Sequence, residues 1–147
     1  PLTLEGKANQ LAEMLRGHLP QAMQGLAVVP IFAGFDPARD AGRLFQFDVT
    51  GGRYEEQDFA TSGSGSLHAG TVVKLGYSRD LSEAEALFLA VKALWHAADE
   101  DSATGGPDPI RGIYPVLAVI DGEGFRQLSD EESGAVFADF RQELTEG

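Results

Sequence analysis

Residues 82–107 constrain this chain more than any other stretch. Ser82 and Glu85 have the spacing of a capping box, and Leu87, Phe88, Val91, Leu94, Trp95 and Ala98 then recur at three- and four-residue intervals. That pattern predicts a long helix with one apolar face. The helix closes on Asp99-Glu100-Asp101, followed by Ser102-Ala103-Thr104-Gly105-Gly106-Pro107. The C-terminal pole of a helix carries partial negative charge, so each exposed carboxylate placed there costs roughly 0.3–1 kcal/mol. A stop built for stability alone would use Lys or Arg. Acids at this pole are either a solvated turn with a Gly cap or the mark of a functional site.

The remaining residues supply partners for that helix. Thr3 can cap a first helix with Leu4, Ala8, Leu11, Ala12 and Leu15 along one stripe, and Leu19, Met23 and Leu26 continue it. Pro20 should kink or divide the helix, and Gly25 is a plausible stop. Residues 26–35 are apolar on both faces and predict a strand buried between layers, with Pro30 at a bulge or edge. Residues 43–50 alternate, placing Phe45, Phe47 and Val49 on one face, and Gly51-Gly52 turns the chain into a strand over 53–60. A short helix beginning near Leu67 follows. After the acidic turn, residues 112–121 predict a second buried strand, paired through Gly122-Glu123-Gly124 with a strand over 125–128. Ser129 and Glu132 repeat the capping box for a last helix facing inward at Val136, Phe137, Phe140 and Leu144.

Helix, three strands, two helices, two strands, helix is the order of a layered α+β protein rather than of alternating βαβ units. Two antiparallel sheets stacked face to face with helices outside, a four-layer αββα sandwich, would bury both the apolar strands and the helix stripes. A chain of 147 residues suits a single domain over 1–147, and no internal linker or repeat interrupts it.

Composition narrows the partners. With 23 acidic against 11 basic side chains the net charge is −12, which repels phosphate backbones and anionic lipid head groups. Nucleic acid and membrane are not expected partners. The absence of Cys removes disulfides and thiolate metal sites and fits a reducing cytoplasm. His96 with Asp99 or Glu100 has helical spacing but no third ligand, so a surface ion pair is expected there and no metal.

Residues 61–66, Thr-Ser-Gly-Ser-Gly-Ser, join a strand to a helix and could offer free N–H groups to an anion. The dinucleotide fingerprint fails, because His68 stands at its third glycine, and the nucleophile-elbow spacing is absent. A plain helix-starting turn is the simpler reading. Pro1 could act as a general base through a free secondary amine, as in tautomerases, but it precedes a helix cap rather than a strand. A chain that opens on proline reads instead as processed or cut.

Two of these stretches, Gly63-Ser64-Gly65-Ser66 and Asp101-Ser102-Ala103-Thr104-Gly105-Gly106-Pro107-Asp108, the latter followed by Arg111-Gly112-Ile113, resemble motifs of the proteasome β subunit. The resemblance extends from Pro1-Leu2-Thr3 and Arg16-Gly17 through Ala22-Met23-Gln24-Gly25-Leu26 to the last helix, and is closest to the bacterial, actinobacterial type. It implies an N-terminal-nucleophile hydrolase fold, incomplete at its N-terminus, and a cytoplasmic threonine protease that degrades proteins inside a barrel of stacked heptameric rings. It further implies α subunits and other β subunits as partners, a ring ATPase and a small protein modifier delivering substrates, and no cofactor.

The family nucleophile is the hydroxyl of a first-residue threonine, supported by an aspartate and a lysine early in the chain. None of the three has a counterpart here, since the sequence matches roughly the C-terminal two-thirds of the family domain. The residues that carry over are supporting ones, Ser64, Asp101 and Thr104, the last standing where many relatives have serine. Their implied role is to hydrogen-bond one another and the nucleophile's amine. Ser102 is the alternative for the second hydroxyl. These 147 residues alone are therefore expected not to cleave peptides. A non-catalytic β-like assembly subunit is the alternative function. A small solitary binding domain is disfavoured, because it would leave apolar strand edges open.

Overall fold

The computed structural model describes residues 2–23 and 29–147, residues 22 and 23 by backbone alone. Its elements in chain order are α1 (Leu4–Gly17), α2 (Leu19–Met23), β1 (Ile31–Asp36), β2 (Ala41–Phe47), β3 (Arg53–Glu56), α3 (Ser66–Gly76), α4 (Glu83–Glu100), β4 (Ala118–Asp121), β5 (Gly124–Gln127) and α5 (Asp130–Glu146). This mixed α and β order is the one the sequence predicts, with Pro20 dividing the first helix. The expected stop at Gly25 and the stripe position Leu26 lie outside the described residues, as does Pro1. Contacts divide the chain into two compact units, Pro1–Ser62 with Ile120–Gly124, and Gly63–Val119 with Phe125–Gly147.

In the first unit the Thr3 hydroxyl accepts from the Gly6 N–H at 3.0 Å and starts α1. Ala8 and Ala12 are buried against Phe45 and Phe47 of β2, with Leu4, Leu11, Leu15 and Phe32 around them. Gly34 leaves the space that Leu4 fills over β1. The sheet is antiparallel in the order β1-β2-β3, and Phe32 stacks on its register partner Phe45 with ring centroids 6.2 Å apart.

All three strands differ from expectation, β3 ending at Glu56 where a strand over 53–60 is expected. β1 begins at Ile31, after Pro30, and its exposure alternates, so it is not buried on both faces. Residues 26–28 of the expected strand lie outside the described residues. β2 stops at Phe47, which leaves Val49 in an exposed turn, because the Asp48 carboxylate replaces the ladder. Asp48 accepts from Thr50 N at 3.0 Å, Gly52 N at 2.9 Å and the Tyr54 hydroxyl at 2.9 Å. Those bonds and one from the Thr50 hydroxyl, the largest contributor, hold its pKa at about 2. Gly51 turns the chain with φ +86°, a conformation open to glycine. Sequence alternation also missed that Arg43 shares the buried face of β2. Its guanidinium donates to both oxygens of Glu55, at 2.8 and 2.9 Å, and to Asp36 at 3.2 Å.

The second unit is helical around α4. Both capping boxes form as read from the sequence, at Ser82 with Glu85 and at Ser129 with Glu132. One face of α4 places Val91 in a core with Leu117, Leu128, Phe137 and Phe140, with Leu87, Phe88 and Trp95 alongside. The opposite face buries Ala93 and Ala97 against Ala69 of α3. The apolar period revealed only the first face, and Leu94 and Leu144, expected inward, are about two-fifths exposed.

The strand expected over 112–121 shrinks to Ala118–Asp121, with one isolated bridge between Asp108 and Ile113. Pro115 can donate no ladder bond, and the Ile110 and Arg111 amides are taken up by the Asp108 side chain. β4 and β5 form a two-stranded sheet. No helix among the described residues is long and apolar enough to cross a membrane.

Packing and capping at α5 make separable contributions. Phe140→Ala, at a site 1% exposed, is expected to cost about 3–5 kcal/mol. Ser129→Ala is expected to cost about 1 kcal/mol. Urea denaturation distinguishes the two, and equal midpoints would show that α5 is not anchored by its aromatic face.

Candidate functional site

The acidic helix end and the serine-glycine turn meet in the second unit. Asp101 is the C-cap of α4, its N–H bonded to Ala97 O at 2.8 Å, and its backbone has left the helical region at φ −116°, ψ 113°. The next turn folds back, with Thr104 N donating to Asp101 O at 3.0 Å and Ala103 N to Asp101 Oδ1 at 3.3 Å. That return brings the Thr104 hydroxyl onto the carboxylate. On the other side, Gly63 takes φ +104° and Ser66 N closes the turn onto Gly63 O at 3.1 Å, so that Ser64 precedes the first turn of α3.

Both hydroxyls donate to the same atom. Ser64 Oγ and Thr104 Oγ1 each lie 2.5 Å from Asp101 Oδ2. The three residues singled out by sequence are thus assembled into one network, with Thr104 rather than Ser102 supplying the second hydroxyl. Asp99 and Glu100, the other acids of the stretch, are exposed at the helix end. Hydrogen bonding from Ser64 and then from Thr104 holds the Asp101 carboxyl below its usual range against the opposing effect of desolvation, with smaller help from the Ala103 N–H and His68.

Geometry also resolves the electrostatic conflict. Asp101 Oδ2 lies 3.5 Å from the position a β-carbon on Gly65 would occupy, and Gly65 is the N-cap of α3. The acid at the negative pole of α4 therefore stands beside the positive pole of α3. The anion at this helix start is the chain's own carboxylate.

Ser64 is exposed, whereas Asp101 and Thr104 are half-buried. A hydroxyl whose proton is committed to a carboxylate keeps its lone pairs, and among the described residues Asp101 Oδ1 receives one long N–H bond, from Ala103. The network is an array of acceptors with a negative charge behind it, suited to an ammonium or amine. His96, by contrast, packs edge-on against Trp95 and Phe140, with ring centroids 5.0 and 6.4 Å away.

Because folding lowers the Asp101 pKa, its ionised form stabilises the fold above the unfolded value of about 3.9, and that contribution is lost as pH falls through the folded-state value. Carboxyl NMR titration should place the Asp101 midpoint below that of an ordinary aspartate. Ser64→Ala should raise it more than Thr104→Ala does. An unchanged midpoint in Ser64→Ala would show that the serine bond does not form in solution.

Comparison with known proteins places the chain in a family. Residues 1–110 of the 147 match the family model described as proteasome subunit, a range that contains Ser64, Asp101 and Thr104. The chain is 57% identical over 135 residues to the proteasome subunit beta of Streptomyces griseus, covering 92% of this chain and 48% of the relative. It is 54% identical over 145 residues to that of Acidimicrobium ferrooxidans, covering 99% and 53%, and 56% identical over 139 residues to that of Acidothermus cellulolyticus, covering 92% and 48%. The chain spans about half the length of the curated relatives it matches. With most of its length inside the family model, the chain belongs to the proteasome subunit family.

Proposed function

We propose that this chain is part of a β subunit of the 20S proteasome core, and that the intact subunit is a threonine endopeptidase. The observation that carries the proposal is the convergence of two hydroxyls on one carboxylate oxygen, drawn from the two motifs that resemble the family and lying within the matched range.

In this reading the network serves the amine of an N-terminal threonine. Asp101 accepts hydrogen bonds from the Ser64 and Thr104 hydroxyls, so their lone pairs are free to accept N–H bonds from the amine. The amine's own lone pair is left to take the proton of the threonine hydroxyl as it attacks a peptide carbonyl. Once protonated, the ammonium is held by the same acceptors with the Asp101 charge behind them. The interaction is stronger after proton transfer than before it, which is the condition for raising kcat rather than binding alone.

The finer architecture belongs to the same proposal: one domain with the four-layer αββα arrangement of N-terminal-nucleophile hydrolases. The α1 helix lying on one face of β1-β2-β3 supports it as a helix layer on a sheet layer. Assembly with α subunits and other β subunits into stacked rings is supported by large apolar side chains left exposed, among them Leu67, Leu75, Val116 and Phe125. A cytoplasmic location and delivery of tagged substrates by a ring ATPase complete the reading. The nucleophile and its aspartate and lysine partners have no counterpart among these 147 residues, so the chain alone is proposed to be inactive.

A fluorogenic peptide assay tests the proposal. In the assembled intact subunit, Asp101→Asn should lower kcat by roughly 10²–10⁴-fold, the range for a general base deprived of its function, with KM little changed. The 147 residues alone should show no turnover. An assembly carrying Asp101→Asn that works at the parental rate would sink the role given to the network, and an intact assembly that cleaves no peptide would sink the endopeptidase reading.

A further inference from the structure

We infer that Gly65 is a positioning residue of this site: the space it leaves empty is what allows Ser64, Asp101 and Thr104 to share one atom. Gly65 is buried, although Ser64 before it is exposed and Ser66 after it is half-buried. Its backbone, at φ −89° and ψ 6°, is open to any L-residue, unlike that of Gly63. Conformational freedom therefore does not account for a glycine here.

Capping does not require it either, since glycine is only one of several residues that an N-cap accepts. Gly65 is the N-cap of α3, a position where Ser, Asp, Asn or Thr would satisfy a free N–H, and this helix has no side-chain cap. Space does account for it. A β-carbon on Gly65 would lie 2.7 Å from Thr104 Oγ1, 3.1 Å from the Ala97 β-carbon and 3.5 Å from Asp101 Oδ2. The first distance is shorter than van der Waals contact allows, so either the threonine hydroxyl or the start of α3 must move. The first motion breaks the Thr104 bond to Asp101, and the second carries Ser64 away from it.

Thr104 has little freedom to yield. A β-branched side chain is stiff about χ1, and one of the two rotations that turn the hydroxyl away swings the methyl group into its place. Ala97 is 2% exposed on the face of α4 against α3, so no flexible side chain can move aside there. Gly105, next to Thr104, is a natural control, because a β-carbon there meets nothing within 4 Å and its backbone is not left-handed.

The consequence for turnover rests on the proposed function, whereas the geometric claim does not, and the experiment separates them. Carboxyl NMR on the chain should show the Asp101 midpoint moving upward in Gly65→Ala and staying in place in Gly105→Ala. Changing Thr104 to Ser in the Gly65→Ala background should bring the midpoint part of the way back, since a serine hydroxyl can rotate without driving a methyl group into the gap. A midpoint unmoved by Gly65→Ala overturns the inference. Should Gly65→Ala fail to fold, the same change is made in a Thr104→Ala background: recovery of the fold supports the inference, and failure in both backgrounds overturns it by showing a general packing role. In the assembled intact subunit, Gly65→Ala should lower kcat by up to ~100-fold with KM little changed, the cost of misplacing a catalytic array by about 1 Å. A raised Asp101 midpoint with full turnover counts against the role given to the network in catalysis alone.

Discussion

The Asp101 carboxylate is placed where two helix poles of opposite sign come together. At the end of α4 alone it would be a liability, and at the start of α3 alone it would be an ordinary favourable anion. Both hold at once, because the turn over 101–104 and the turn over 63–66 meet at Oδ2. The hydroxyl bonds then fix the carboxylate between the poles. This is why the acid stays ionised with few cationic neighbours: O–H and N–H dipoles do most of what a counter-ion would otherwise do.

That meeting depends on how closely α3 can approach α4. The buried part of the seam is Ala69, Ala93 and Ala97, with Gly65 at its end and the partly buried Val72 and Val73 packed alongside, and none of the buried side chains extends beyond a methyl group. Each gives up the larger transfer free energy that a Leu or Ile would bring to a core. Small residues gain proximity instead, and proximity is what a hydrogen-bonded network between two helices requires. The opposite face of α4 supplies the bulk, through Val91 against Phe137 and Phe140. One helix thus carries its anchoring and its fine positioning on different sides.

Much of this was legible in the residues. Local signals were the clearest: the caps at Thr3, Ser82 and Ser129 depend on side chains three positions apart, and all three form. The apolar stripes of α1 and α4 were equally plain. Strand ends were not, because they are decided by competition for backbone groups. Asp48 ends β2 by taking amides that a ladder would otherwise use, and Asp108 with Pro115 keeps residues 108–117 from joining β4. Arg43 was invisible for a related reason, since a charge can sit on a buried face only when partners arrive from other strands. Within the site, Ser64, Asp101 and Thr104 were named through resemblance and the odd placement of acids. Gly65 was named as part of its motif but given no role, because its signal is an absence of atoms, and only the fold shows what would have filled the gap.

Placement on helix ends rather than in a long loop has a physical consequence. Asp101 inherits its position from a helix of about five turns clamped on two faces, and Thr104 is tied to Asp101 by a backbone bond as well as by its hydroxyl. Among the described residues Ser64 is the one that hydrogen-bonds the carboxylate from outside α4 and its closing turn, and it is the member that faces solvent. A group docking there meets a donor-acceptor array whose inner two members are held by α4 and whose outer member is steered by the residue beside it. The boundary between buried and exposed falls between Ser64 and Gly65, and this one-residue step lets a solvent-facing hydroxyl keep a fixed distance from a half-buried charge.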